Sequence, residues 1–195
     1  CSLGHADMPC MDNDVLRRGK PTVHVQYGEA DALLAGDALQ ALAFELLVPD
    51  SEQEIPAAMQ AQLCRLLARA AGAEGMAGGQ AIDLASVGKQ LDREQLQHMH
   101  RLKTGALLQA SVSMGAACGA AEGSVRAALA DYGAAIGLAF QVVDDILDVV
   151  ADSATLGKTA GKDAINDKPT YVSLLGLQAA QEYARNLHDE AMQAL

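Results

Sequence analysis

The chain has no tryptophan, and its aromatic residues together make up 3% of 195 positions. Sheet cores draw on aromatic and β-branched side chains, so this composition speaks against a sandwich or barrel. Basic residues number 14 against 25 acidic ones, for a net charge of −11. That balance excludes nucleic acid as the partner, because a phosphate backbone is held by a surplus of Lys and Arg. A small anionic ligand stays possible, since a divalent cation and a few local lysines reset the sign inside a cleft. The four cysteines, Cys1, Cys10, Cys64 and Cys118, show neither paired spacing nor a C-x-x-C. They argue against a disulfide framework or a zinc site and read as small core residues in a reducing compartment. No apolar run of membrane-spanning length is free of charge, and nothing resembles a signal peptide, so a cytoplasmic protein with no stable membrane insertion is expected.

What the chain does have is Ala and Leu, within an apolar content of 50%. This is helix-bundle stock, and the expectation is an all-α protein with no sheet of consequence. Helices are expected near 30–47, 56–71, 93–121, 124–151 and 172–195, with breaks where Gly, Pro and acids cluster. Pro49-Asp50-Ser51-Glu52 reads as a turn and cap, 72–79 as a Gly-rich break, and 152–170 as the longest loop, of a length that usually carries function or disorder. No linker, repeat or low-complexity tract interrupts the chain, so one domain over 1–195 is expected.

Gln141-Val142-Val143-Asp144-Asp145-Ile146-Leu147-Asp148 places three carboxylates inside an otherwise apolar run. Burying such an acid unpaired costs several kcal/mol, so something must compensate it. On a helix Asp144 and Asp148 share a face, with Gln141 a turn earlier, while Asp145 lies about 100° around and suits a structural pairing. The shared face fits either a hard divalent cation held partly by a substrate's phosphates, or a charged edge that reaches solvent or pairs with a Lys. Downstream come Gly157-Lys158-Thr159-Ala160-Gly161-Lys162-Asp163 and Asp167-Lys168-Pro169-Thr170-Tyr171; upstream, Asp7, Asp12 and Asp14 are followed by Arg17-Arg18-Gly19. Acid clusters with cations behind them, occurring twice, point to a polyanion gripped by metal ions and by Lys and Arg.

These residues resemble the trans-polyprenyl diphosphate synthase family, and bacterial farnesyl diphosphate synthases within it. The first aspartate-rich motif is matched by Ala6-Asp7-Met8-Pro9-Cys10-Met11-Asp12 with Arg17-Arg18-Gly19, and the second by Asp144-Asp145-Ile146-Leu147-Asp148. Gly78-Gly79-Gln80-Ala81-Ile82-Asp83 and Lys103-Thr104-Gly105-Ala106-Leu107 match the signatures between them, and 157–163 with 168–171 match the closing loop. A terpene cyclase or head-to-head synthase also uses aspartate-rich helices, but the arginine pair, Lys103-Thr104 and Lys168-Pro169-Thr170-Tyr171 fit the chain-elongating family better.

The resemblance implies an isoprenoid-synthase-type helical bundle around a central apolar cavity, with N-terminal helices and an acceptor-binding motif missing before Cys1 and an early end. It implies condensation of an allylic diphosphate (dimethylallyl or geranyl) with isopentenyl diphosphate, giving farnesyl diphosphate and pyrophosphate, and a homodimer. Mg²⁺ is the implied cofactor, three ions in the substrate complex. Asp12 and Asp144 are the implied ligands, with Asp148 supporting and Asp7 a further candidate. Arg17, Lys103 and Lys158 would bind the allylic diphosphate, joined by Thr104 and Gln141. Arg18 would contact the acceptor diphosphate, and Lys168 and Asp163 sit on the closing loop. Gln80 and Asp83 read alternatively as a buried polar pair, His5, His98 and His100 as structural, and Met8, Met11, Met76 and Met114 as core or pocket filling.

Three positions depart from the family pattern. Ala6 stands where the first motif has a metal-binding Asp, and Asp7 cannot simply replace it, being rotated by about 100° on a helix. The expectation is a catalytically impaired chain, or a homologue that binds a prenyl diphosphate or serves as a partner subunit. Cys1 and Ser2 stand where an aromatic floor limits product length, which opens geranylgeranyl diphosphate as a product. Asp167 replaces a frequent Gly and only retunes the loop.

Overall fold

The computed structural model describes residues 2–50, 55–150 and 168–195. Cys1, Ser51 and Glu52 of the expected cap, and most of the expected closing loop, with Lys158, Asp163 and Asp167, lie outside the described residues. The chain divides into two compact units, Cys1–Ile55 with Asp148–Lys162, and Pro56–Leu147 with Asp163–Leu195.

The first unit opens with a short helix α1 (Ser2–Ala6) and an acidic turn, then a hairpin of β1 (Leu16–Arg17) and β2 (Lys20–Pro21). The strands pair antiparallel, Leu16 with Pro21 and Arg17 with Lys20. Arg18 and Gly19 form the turn at φ of 53° and 74°, the positive values that a two-residue hairpin turn matching strand twist requires. Thr22 anchors its base, donating from Oγ1 to the Asp14 carbonyl at 2.6 Å and from its amide to Val15 at 3.1 Å. Helices α2 (Val23–Tyr27) and α3 (Glu29–Glu45) follow. The His5 ring of α1 lies 3.0 Å from the Leu33 carbonyl of α3, while Leu33, Leu34, Leu39, Leu42 and Leu46 stay exposed.

The second unit holds α4 (Ala57–Ala71), α5 (Met76–Ala85) and α6 (Arg93–His100), which continues through a π-helical turn (Arg101–Gly105) into α7 (Ala106–Cys118). Asp92 and Gln95 cap α6 reciprocally, at 2.9 and 3.0 Å. The long α8 (Gly123–Val150) starts in this unit; α9 (Tyr171–Leu175) and α10 (Leu177–Ala194) complete it. Leu96, Met99, Leu138, Ala139, Val142, Tyr171, Ala180 and Leu187 form its core. Each fully buried large side chain there contributes roughly 1.5–3 kcal/mol.

The described residues are all-α apart from the hairpin, as expected, and four of the five expected long helices fall where the sequence puts them to within a few residues. Two readings change. The expected break at 72–79 closes at Gly75, and Gly78 and Gly79 belong to α5. Gly79 is there for contact: a Cβ would lie 2.1 Å from the Lys103 amide nitrogen, so only glycine lets α5 rest on the π turn. Gly137 does the same from α8, where a Cβ would come within 2.9 Å of the Gly105 Cα. The expected helix at 172–195 is interrupted by Gly176 at φ 82°, which separates α9 from α10. The cysteines also depart from the core reading: Cys10 and Cys118 are exposed and Cys64 is half-buried, because they fall in the acidic turn, at a helix end and on a helix flank. Met11, in the same turn, is exposed as well.

Candidate functional site

In the first unit the acidic turn folds so that two of its acids reach one arginine. Backbone bonds from the Asp12 amide to Ala6 (2.9 Å) and from the Asp14 amide to Asp7 (3.1 Å) draw the turn closed. Arg17 Nε then donates to both Asp7 oxygens at 2.8 and 2.9 Å, and Nη2 donates to Asp7 Oδ1 at 2.5 Å and to Asp14 Oδ2 at 3.4 Å. The hydrogen bonds to Asp7 raise the Arg17 pKa further, against burial, with Asp14 and Asp12 adding attraction. Asp7, expected as a metal candidate, and Arg17, expected on a diphosphate, are thus bonded to each other. Asp12 is half-buried and Arg18 is exposed. Ala6 brings no donor.

In the second unit several of the expected site residues have partners far away in sequence. Thr104 Oγ1 donates to Gln141 Oε1 at 3.0 Å, and Gln141 Nε2 donates to Asp145 Oδ1 at 2.9 Å. The Tyr171 amide donates to Asp145 Oδ2 at 2.8 Å. Asp145 thus has the structural pairing that its rotation about α8 suggests, bonded to Gln141 and to the start of α9. Asp144 is half-buried, and Asp148, one turn on along the same helix, is buried. Lys103 Nζ and Lys168 Nζ both donate to Asp83 Oδ2, at 2.5 and 3.3 Å. Four expected site residues, Lys103, Thr104, Gln141 and Lys168, are so held within this unit, while Lys158 lies outside the described residues.

Sequence reasoning missed what surrounds them. Asp83 serves two lysines rather than pairing with Gln80, whose Nε2 has no partner. His100 is buried, neither ring nitrogen has a partner, and burial pushes its pKa down to about 3, with Asp83 opposing and Lys103 assisting. Its ring stacks on Tyr171 at 5.5 Å and 30°. Tyr171 is fully buried, and burial raises its pKa. A His three residues before a Lys, and a Tyr three residues after another, are the only signals the sequence offered.

For a hard cation the donor chemistry is mixed. Carboxylate oxygens on one helix face, Asp144 and Asp148, suit Mg²⁺, which keeps waters and shares phosphate oxygens with a substrate. Among the described residues no three His, Cys, Asp or Glu side chains converge on one point. The first motif fits less well, since the Ala6 side chain has no oxygen and Asp7 is engaged by Arg17.

The model of the polyprenyl synthetase family matches residues 1–194. The chain belongs to that family. A probable farnesyl diphosphate synthase of Sinorhizobium fredii is 55% identical over 199 residues, covering 100% of this chain and 59% of that protein. The crystal structure of Helicobacter pylori geranyltransferase complexed with magnesium and isoprenyl diphosphate superposes with a TM-score of 0.89 at 40% identity, over 99% of this chain and 62% of that one. An FPP/GFPP synthase from Zymomonas mobilis, in its apo structure, gives 0.84 at 44%, over 100% and 64%. The chain thus spans about six tenths of the length of such relatives. Among its described residues no helix is long and apolar enough to cross a membrane.

Proposed function

We propose that this chain forms part of a Mg²⁺-dependent prenyltransferase that joins an allylic diphosphate to isopentenyl diphosphate, releasing pyrophosphate. The observation that carries the reading is the pair of lysines on Asp83 beside the Thr104–Gln141–Asp145 relay. Asp144 and Asp148, with Asp12, would hold the metal, and Mg²⁺ bound there would withdraw charge from a departing diphosphate. Lys103, Lys168, Lys158 and Arg17 would neutralise the allylic diphosphate's outer oxygens, and Arg18 the acceptor's. Thr104 and Gln141 hold fixed dipoles for the allylic cation that forms when the C–O bond breaks. The acceptor double bond attacks that cation, and a proton leaves to the pyrophosphate. Three metal ions, a homodimer and a cytoplasmic location belong to the same proposal.

Farnesyl diphosphate is the proposed product, with geranylgeranyl diphosphate as the longer outcome that a small residue at Cys1 would permit. A second reading, a non-catalytic homologue that binds a prenyl diphosphate or serves as a partner subunit, is favoured by Ala6 and by the Asp7–Arg17 pair. The test is Mg²⁺-dependent elongation of geranyl diphosphate with labelled isopentenyl diphosphate, on the complete reading frame, as it stands and with Ala6→Asp. Turnover only in Ala6→Asp supports a synthase scaffold impaired at one ligand, and its products report chain length. Turnover in both removes the impairment, and silence in both favours the second reading.

A further inference from the structure

The rings of the second unit stand in a file. The Arg93 guanidinium lies 4.7 Å from the Tyr183 ring centre, Tyr183 is 5.5 Å from Tyr171, and Tyr171 is 5.5 Å from His100. No hydrogen bond fixes the His100 ring, so its orientation is set by packing, and the stacked partner is Tyr171. Both rings are held at the backbone as well: His100 enters the π turn directly, and the Tyr171 amide is bonded to Asp145.

Each ring lies three residues from one of the two lysines on Asp83. His100 precedes Lys103 by three positions in a continuous helix. Lys168 precedes Tyr171 by three, across a stiff link: Pro169 has a locked φ, it restricts Lys168 to extended conformations, and Thr170 caps α9 through Ser173 at 3.0 Å. Displacement of the Tyr171 ring is therefore transmitted to Lys168, whereas Lys103 is carried by its own helix.

We propose that His100 and Tyr171 are a positioning pair: their stack registers Lys168 against Lys103, so that both ammonium groups meet on Asp83 as a preassembled two-cation seat. That the seat receives a diphosphate rests on the function proposed above; the registration itself does not.

The test is trace amine acetylation of the folded protein in its complete reading frame, read lysine by lysine by mass spectrometry. His100→Leu keeps an apolar filling and removes the flat ring, and His100→Phe restores a ring without nitrogens. Loss of one ring contact corresponds to about a fivefold change, so Lys168 labelling should rise about fivefold in His100→Leu, with Lys103 unchanged, and return in His100→Phe. Unchanged Lys168 labelling, equal rises at both lysines, or no recovery with Phe would overturn the proposal. Should His100→Leu fail to fold, Tyr171→Leu breaks the stack from the other side and carries the same expectation. Inorganic pyrophosphate binding without divalent cation is the second readout, expected to weaken about fivefold in His100→Leu and recover in His100→Phe. Absence of pyrophosphate binding in the parent protein would remove the diphosphate reading, while the labelling pattern would still decide the registration.

Discussion

The two acidic regions of this chain use their carboxylates in opposite ways. In the first, Asp7 and Asp14 close on an arginine ten and three residues away. In the second, Asp145 gathers a helix side chain and the amide of a residue 26 positions later, and Asp83 gathers lysines 20 and 85 positions later. The lesson is that similar aspartate-rich strings take up different partners: Asp7 and Asp14 meet an arginine close by in sequence, whereas Asp145 ties α8 to the start of α9.

The contrast should show first in stability. Asp145→Ala strands the Gln141 amide and the buried Tyr171 N–H, and should lower the unfolding free energy by about 3 kcal/mol in urea titration. A loss under about 1 kcal/mol would mean the tie between helices is not made there. The next largest effect comes from acid. His100 has a folded pKa of about 3, below its unfolded value, so the unfolded state binds the extra proton and stability falls as pH drops from about 6.5 towards 3. Between pH 7 and pH 5 about 2 kcal/mol should go, and His100→Phe should flatten that slope; a parallel slope in the variant would place the acid sensitivity elsewhere.

Asp7→Ala should cost only about 1 kcal/mol, because the Arg17 side chain is 29% exposed and can turn to Asp14 or water. A loss as large as that of Asp145→Ala would erase the distinction between the two regions. Smallest is the cap: Thr170→Ala should cost roughly 1 kcal/mol or less and leave Lys103 chemistry unchanged, sharpening the view that α9 is held by Asp145 and the Tyr171 ring more than by its own first turn.

How far these features could be read from the sequence follows from how local they are. The long helices were legible because Ala and Leu accumulate between punctuating Gly, Pro and Asp. Asp145 was legible as the odd one out because rotation about a helix needs nothing beyond spacing. The helix at Met76–Ala85 was not, since Gly78 and Gly79 read as breakers, and the reason Gly79 is glycine is a backbone 24 residues downstream. The π turn at Arg101–Gly105 leaves no compositional trace, because it is a change of hydrogen-bond partner rather than of residue type. Lys103, Thr104, Gln141 and Lys168 were named through motif resemblance. Their convergence on Asp83 and Asp145 came from tertiary packing and has no counterpart in spacing.

Gly79 and Gly137 press two helices onto one turn with no side chain between. Every amino-acid replacement at either codon adds at least a Cβ, so neither position has a neutral missense neighbour in sequence space. Random mutagenesis under selection for a folded product should leave both codons nearly untouched, and that depletion would mark the centre of the second unit without any structure being consulted.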